Sequence, residues 1–264
     1  MERSYETARV DDKGKGLVLL TLNRPQVANA MNTQMGRDLQ AFFDAVNAEP
    51  LAYRCVVVTG AGDKAFCAGG DLKERQGMSD EQWQAQHLLF ERMIRAFIGC
   101  PVPVIGAING AAYAGGCELA LCCDFLYAAE TARFALTEVT LGIMPGAGGT
   151  QRLPRLIGEA RAKELILLGR RISAARALDI GLVHQVVPRA QLVAAAQALL
   201  AELATCAPLS VQSAKSAIQR GYGKPISEGL DIERECYDVT LSSEDRDEGL
   251  AAFAEGRPPN YRGH

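Results

Sequence analysis

The chain has 264 residues, 48% of them hydrophobic and 22% charged, and a net charge of −3 at pH 7. That is room for one large domain, or a domain with an appendage, built on a real core. The near balance of charge, with no long single-sign run, excludes a nucleic-acid or anionic-membrane surface as the main business.

The start, "MERSYETARVDDKGKG", is polar and mixed in charge, without the apolar core of a signal peptide. "GLVLLTLNRP" (Gly16–Pro25) then reads as a strand closed by a turn. In "NTQMGRDLQAFFDAVNAEP" the apolar residues Met35, Leu39, Phe42, Phe43 and Val46 recur at helical spacing, with Asn32 or Thr33 as N-cap. "YRCVVVTG" (Tyr53–Gly60) reads as a buried β-branched strand. An amphipathic helix is expected from about Ser79. "PVPVIGAING" reads as a strand, and "DFLYAAETARFAL" as two short ones. Helical patterns dominate the end, in "GEARAKELILLG", "SAARALDIG", "RAQLVAAAQALLAELATCA" and "PLSVQSAKSAIQRG". Strands and helices thus alternate to about residue 190 before a mainly helical remainder, which predicts an α/β core with a helical C-terminal part.

The eight cysteines include no CxxC pair, and the three histidines (His87, His184, His264) lie far apart. Buried, reduced thiols are expected and a metal site is not. No apolar run reaches the roughly 20 residues that span a bilayer, so no membrane association is expected and the expected location is cytoplasmic. "VVVTGAGDKA" places a GxGxxA pattern after a strand, but no helical pattern follows to meet a pyrophosphate. "GAAYAGG" lacks the Lys-Ser/Thr of a P-loop.

Glu118 interrupts the apolar run of "NGAAYAGGCELALCCDF". A helix starting at Gly115 or Gly116 puts Glu118 in its first turn. There the dipole favours a carboxylate and burial favours the protonated acid. Such a group is either poised for proton transfer or a partly exposed helix-stabilising glutamate. Glu138, ahead of the Gly/Pro-rich "LGIMPGAGG", is either its acid–base partner or a surface residue. Gly69 and Gly70 in "AFCAGGDLKER" let backbone N–H groups turn toward a ligand, and Gly115 offers another free donor at a helix start. Two converging N–H groups make an oxyanion hole.

Taken together and in this order, "NRPQVANAMN", "AFCAGGDLKER", "INGAAYAGGCELALCCD", "FALTEVTLGIMPGAGGTQRLPRLIG" and "GRRISAARALDIGLVHQVV" resemble the enoyl-CoA hydratase/isomerase (crotonase) superfamily over nearly the whole chain. "DLKER", "TQRLPRLIG" and the closing "DRDEGLAAFAEGRPPNYRGH" are most similar to its methylglutaconyl-CoA hydratase branch, with short-chain enoyl-CoA hydratases close behind. The resemblance implies an α/β, crotonase-like spiral of ββα units over 1–199 and a helical oligomerisation segment over 200–264, giving a homotrimer or a hexamer of paired trimers. It implies an acyl-CoA thioester as substrate, with no metal or separate cofactor. Glu118 and Glu138 take the catalytic positions, and the N–H groups of Gly70 and Gly115 the oxyanion hole. Val27, Ala28, Ala30, Ala68, Asp71, Leu72 and Lys73 match the CoA-contacting segments, Lys73 being equally readable as solvated surface.

Tyr113 and Ala114 stand where many hydratases have leucine and glycine. Tyr113 either borders the acyl pocket or packs in the core. Thr137 replaces a common proline, which bears on substrate identity. Isomerases of this superfamily tend to work with one acidic residue, so two glutamates favour hydration over Δ3,Δ2-isomerisation. RNA binding, reported for some members through a lysine-rich helix, is not expected: the corresponding helix has only Arg37, against Asp38, Asp44 and Glu49.

Overall fold

A computed structural model describes residues 5–264. An antiparallel pair, β1 (Ala8–Gly14) and β2 (Leu17–Leu22), leads into α1 (Thr33–Ala48). The five apolar residues read from the α1 sequence are all buried, and Asn32 is the N-cap, its side chain accepting from the Met35 N–H at 2.9 Å. β1 escaped the sequence reading. It is an edge strand exposed along much of its length, so it carries no apolar alternation.

The chain then repeats one pattern, a strand in each of two sheets followed by a helix. The first turn is β3 (Cys55–Gly60), β4 (Ala65–Cys67), the short α2 (Leu72–Arg75) and α3 (Asp80–Ile98). The second is β5 (Val104–Ile108), β6 (Ala111–Tyr113) and α4 (Gly115–Cys122). β7 (Phe125–Ala129) and β8 (Arg133–Ala135) follow, then α5 (Gly149–Ile157) and α6 (Glu159–Leu167). β9 (Ile172–Ser173), α7 (Ala174–Asp179) and β10 (Gln185–Val187) close the spiral.

The larger sheet has the order β1-β2-β3-β5-β7-β10, parallel from β2 onward, and the smaller has β4-β6-β8-β9. A parallel neighbour requires a long crossover; the one from β2 to β3 runs through α1, and those from β3 to β5, β5 to β7 and β7 to β10 each supply a strand to the second sheet before a helix. β3 and β5 are buried at every position, as their β-branched runs require. α1 and α3 cover the sheets together, and Phe43 and Phe97 stack between them at 4.1 Å. A Ser79–Gln82 capping box starts α3 at the expected place.

α8 (Leu192–Leu203) returns to the core: Leu192 and Ala196 are buried with Val57 and Ile105. The expected division between residues 199 and 200 therefore falls inside a core-packed helix. α9 (Pro208–Gly221), α10 (Ile226–Leu241) and α11 (Glu244–Glu255) extend beyond it. Lys215 ties α9 to the core through Asp124 at 2.5 Å and the Val102 carbonyl at 2.8 Å. No single described helix is long and apolar enough to cross a membrane. Seven of the eight cysteines are buried, Cys206 is exposed, and all are free thiols.

Candidate active site

Apart from Glu118, α4 is apolar on every face, and it is buried except at its first residue. Its start is packed so closely that only glycine fits: a Cβ on Gly116 would lie 2.1 Å from the Cys67 carbonyl oxygen of β4. Ala114, just before it, is held at φ 49° and ψ −127°, a conformation that costs a non-glycine residue of order 1–3 kcal/mol. These constraints lock the loop before α4 against β4 and fix where the Gly115 N–H points.

The other glycine loop meets it there. Gly69 has φ +96°, and a Cβ on it would stand 3.2 Å from the Gly115 nitrogen. The loop is pinned from the far side: Met31 N–H donates to the Gly69 carbonyl at 2.7 Å and Asp71 N–H to the Met31 carbonyl at 2.8 Å. Among the described residues, no protein acceptor takes the N–H of Gly70 or of Gly115. Both glycines line one cavity of about 790 Å³. The two expected oxyanion donors thus come together at its wall.

Glu118 and Glu138 line the same cavity and are 3% and 6% exposed, so neither is a surface glutamate. Their surroundings differ. Glu118 Oε1 accepts from the Ala147 and Gly149 N–H groups, each at 2.8 Å, where α5 begins. Its Oε2 lies on the Gly115 side, 3.9 Å from where a Cβ on that glycine would stand. Burial raises the Glu118 carboxyl above the ordinary range, against the pull of the two amides and of His87. Glu138 begins a 3₁₀ turn (Glu138–Leu141), and neither of its buried oxygens has a hydrogen-bond partner. Burial, with a smaller contribution from the Glu118 charge, pushes its carboxyl up to about 7.

The remaining expected residues divide. Ala68 and Leu72 line the cavity, whereas Val27, Ala28, Ala30, Asp71 and Lys73 do not. The alanines flank the cavity loop, and Ala68 N–H donates to the Ala28 carbonyl at 3.0 Å. Asp71 caps α2 and pairs with Arg24 at 2.9 Å, while Arg24 also holds the Ala30 carbonyl at 2.6 Å. Its place among these contacts is that of a brace between the two loops. Lys73 is exposed. Tyr113 does not line the cavity either; its ring lies beneath the Arg171 guanidinium, 5.2 Å from the centroid. Thr137 does line it.

Sequence reasoning missed Arg75, Trp83 and His87, which also line the cavity. Trp83, His87, Phe90 and Ile94 follow helical spacing along one side of α3. The same spacing signals an ordinary core face, so the sequence held nothing to separate the two. α5 was missed as well, because glycines precede it and Pro154 lies inside it.

The family model for enoyl-CoA hydratase/isomerase matches residues 12–264. The chain belongs to that family. YngF of Bacillus subtilis, an enoyl-CoA hydratase/isomerase by name, is 46% identical over 251 residues, covering 95% of this chain and 96% of its own. The crotonyl-CoA hydratase of Syntrophomonas wolfei is 38% identical over 258 residues, covering 98% of each chain. The crystal structure of an enoyl-CoA hydratase from Bacillus anthracis superposes with a TM-score of 0.95 at 46% identity, over 98% of this chain and 100% of that one. The α/β spiral with its helical C-terminal segment is thus a crotonase fold, as the sequence motifs implied.

Proposed function

We propose that this chain is an enoyl-CoA hydratase that adds water across the 2,3 double bond of a 2-enoyl-CoA thioester. The observation that carries this reading is the pair of buried glutamates in one cavity with two unclaimed backbone N–H groups. Glu118, its carboxylate form supported by two amides, takes a proton from water as the oxygen attacks C3. The thioester becomes an enolate whose oxygen is held by the Gly70 and Gly115 N–H groups. Glu138, with a carboxyl that stays largely protonated below pH 7, delivers its proton to C2. One proton enters Glu118 and one leaves Glu138, so the pair must exchange a proton with solvent between turnovers. Preorganised donors of the oxyanion type are worth about 10²–10³ each in rate elsewhere, and each acid–base group about 10²–10⁴.

Ala68 lines the cavity and its N–H is bonded to Ala28 on the neighbouring loop, so Ala68 with Val27, Ala28 and Ala30 would meet the CoA chain by backbone atoms. The outer helices leave large apolar side chains in solvent, among them Ile218, Ile226, Leu230, Tyr237 and Phe253, the last 89% exposed. Such a surface supports assembly into trimers, singly or paired. Light-scattering mass at three or six chains is the expected result.

The test of the function is the loss of enoyl-thioester absorbance with crotonyl-CoA. Rapid hydration is expected from the wild type and not from Glu118→Gln. A folded wild type that binds acyl-CoA and leaves the absorbance unchanged would remove the hydratase reading.

A further inference from the structure

Apart from the two glutamates, His87 is the one cavity-lining side chain among the described residues that gains and loses a proton near neutral pH. The proposed mechanism gives it no task. It stands on α3, against the loop that carries the amides of Glu118. A Cβ on Gly146 would lie 2.8 Å from His87 Cε1 and 3.6 Å from each ring nitrogen. Gly146 is followed by Ala147, whose N–H donates to Glu118 Oε1 at 2.8 Å. One residue of backbone therefore separates the ring from the amide that holds the base. Their electrostatics agree: burial raises the Glu118 carboxyl most, and the His87 charge opposes that rise after the two amides.

The ring also reaches solvent. The His87 side chain is 42% exposed, whereas Glu118 is buried. Its Nε2 lies 3.3 Å from Oε1 of the half-exposed Glu91, one turn along α3. A carboxylate there favours the proton on Nε2 and leaves Nδ1 as the acceptor of the neutral ring. No hydrogen bond from a described residue occupies Nδ1. The wall flanking Glu118 is otherwise Met31, Ala114, Gly115, Gly146 and Ala147, none with a titratable side chain. Arg75 and Glu138 are the other charged groups on this wall, and an arginine does not give up its proton. His87 thus joins a buried carboxyl to the outside, where no other side chain beside Glu118 can pass a proton.

We infer that His87 is the proton relay of the base, carrying to solvent, past Glu91, the proton that Glu118 gains in each turnover. The inference rests on the hydratase reading, in which hydration leaves Glu118 protonated and Glu138 ionised. The proton passes from the Glu118 carboxyl through one water to Nδ1, and the imidazolium so formed releases its Nε2 proton to solvent. Tautomer exchange through water restores the ring. Glu138 takes one proton from solvent when product leaves, so one proton departs and one arrives per cycle. The relay acts after the C–O and C–H bonds have formed. It therefore bears on kcat and not on kcat/KM for the enoyl thioester.

The experiment follows crotonyl-CoA hydration at neutral pH in a dilute buffer that transfers protons poorly, with and without added imidazole. It compares the wild type with His87→Ala and His87→Gln. Both variants are expected to lose about tenfold in kcat and less than about twofold in kcat/KM. Imidazole should restore kcat of His87→Ala along a saturating curve and leave the wild type unchanged. His87→Gln fills the space against Gly146 without passing a proton, so a loss in both variants separates transfer from packing. An unchanged kcat in both variants overturns the inference. Equal falls in kcat and kcat/KM that imidazole does not restore also overturn it, assigning the ring to support of the Gly146 loop. If either result is found while the wild type hydrates crotonyl-CoA, only the His87 inference fails. If the wild type leaves crotonyl-CoA unchanged, the hydratase reading fails with it.

Discussion

Glu118 and Glu138 face one cavity, are both buried, and are held in opposite ways. Two backbone N–H groups at the start of α5 meet one oxygen of Glu118, while both oxygens of Glu138 lack a partner. A buried carboxyl left without donors loses more in its ionised form than in its protonated form. On the proposed mechanism, this difference separates base from acid: amides meet one glutamate and not the other. Residue type alone carries none of that distinction.

Removing either group should have the largest effect. Glu118→Gln and Glu138→Gln are each expected to lower kcat for hydration by about 10²–10⁴ while leaving product binding measurable by calorimetry. A variant that kept more than a tenth of the rate would erase its glutamate's side of the comparison.

Disturbing the amides instead of the carboxylate should do less. A Cβ on Gly149 would stand 3.0 Å from Glu118 Oε1 and from Leu136 Cδ1. Gly149→Ala is thus expected to shift the carboxylate and lower kcat by about 10–10². An unchanged kcat would show that the amide contacts do not set the base.

The acid should also reveal itself in stability. Its folded-state pKa of about 7 lies above the ordinary carboxylate value of 4.5, so its favourable contribution is complete below about pH 4.5 and is lost as pH rises through about 7. Glu138→Gln removes that loss. Its melting temperature should exceed that of wild type by about 7–13 °C at pH 8, the gain shrinking toward pH 5. A gain independent of pH would contradict the assignment. The smallest effect concerns the oxyanion loop: Ala114→Gly relieves the positive φ and should raise the melting temperature by about 2 °C in a thermal scan. A lower melting temperature would show that Ala114 is not strained.

Much of the frame was legible in the sequence because it rests on local patterns. The α1 periodicity, the Ser79 cap and the β-branched runs of β3 and β5 each encode one element, and the helix start at Gly115 was readable from its glycines. The three-residue strands β4 and β6 were not, because nothing so short carries a period, and both read as parts of glycine loops. The two glutamates and two glycines were found through linked motifs. Their convergence was invisible, because it depends on Met31 pinning the Gly69 loop and on Gly116 lying against Cys67, contacts between distant segments. Arg75 was hidden in plain view within "DLKER". It lines the cavity over Trp83 and Phe90 of α3, which present the spacing of an ordinary buried face.

The most direct measurement is the pH dependence of kcat/KM for crotonyl-CoA hydration by the wild type and by Glu138→Gln. The wild type should show a bell whose acidic limb follows ionisation of Glu118 and whose basic limb falls near pH 7 as Glu138 gives up its proton. The variant should retain the acidic limb at a much lower rate and lose the basic one. A basic limb persisting unchanged in Glu138→Gln would contradict the division of the two glutamates into base and acid.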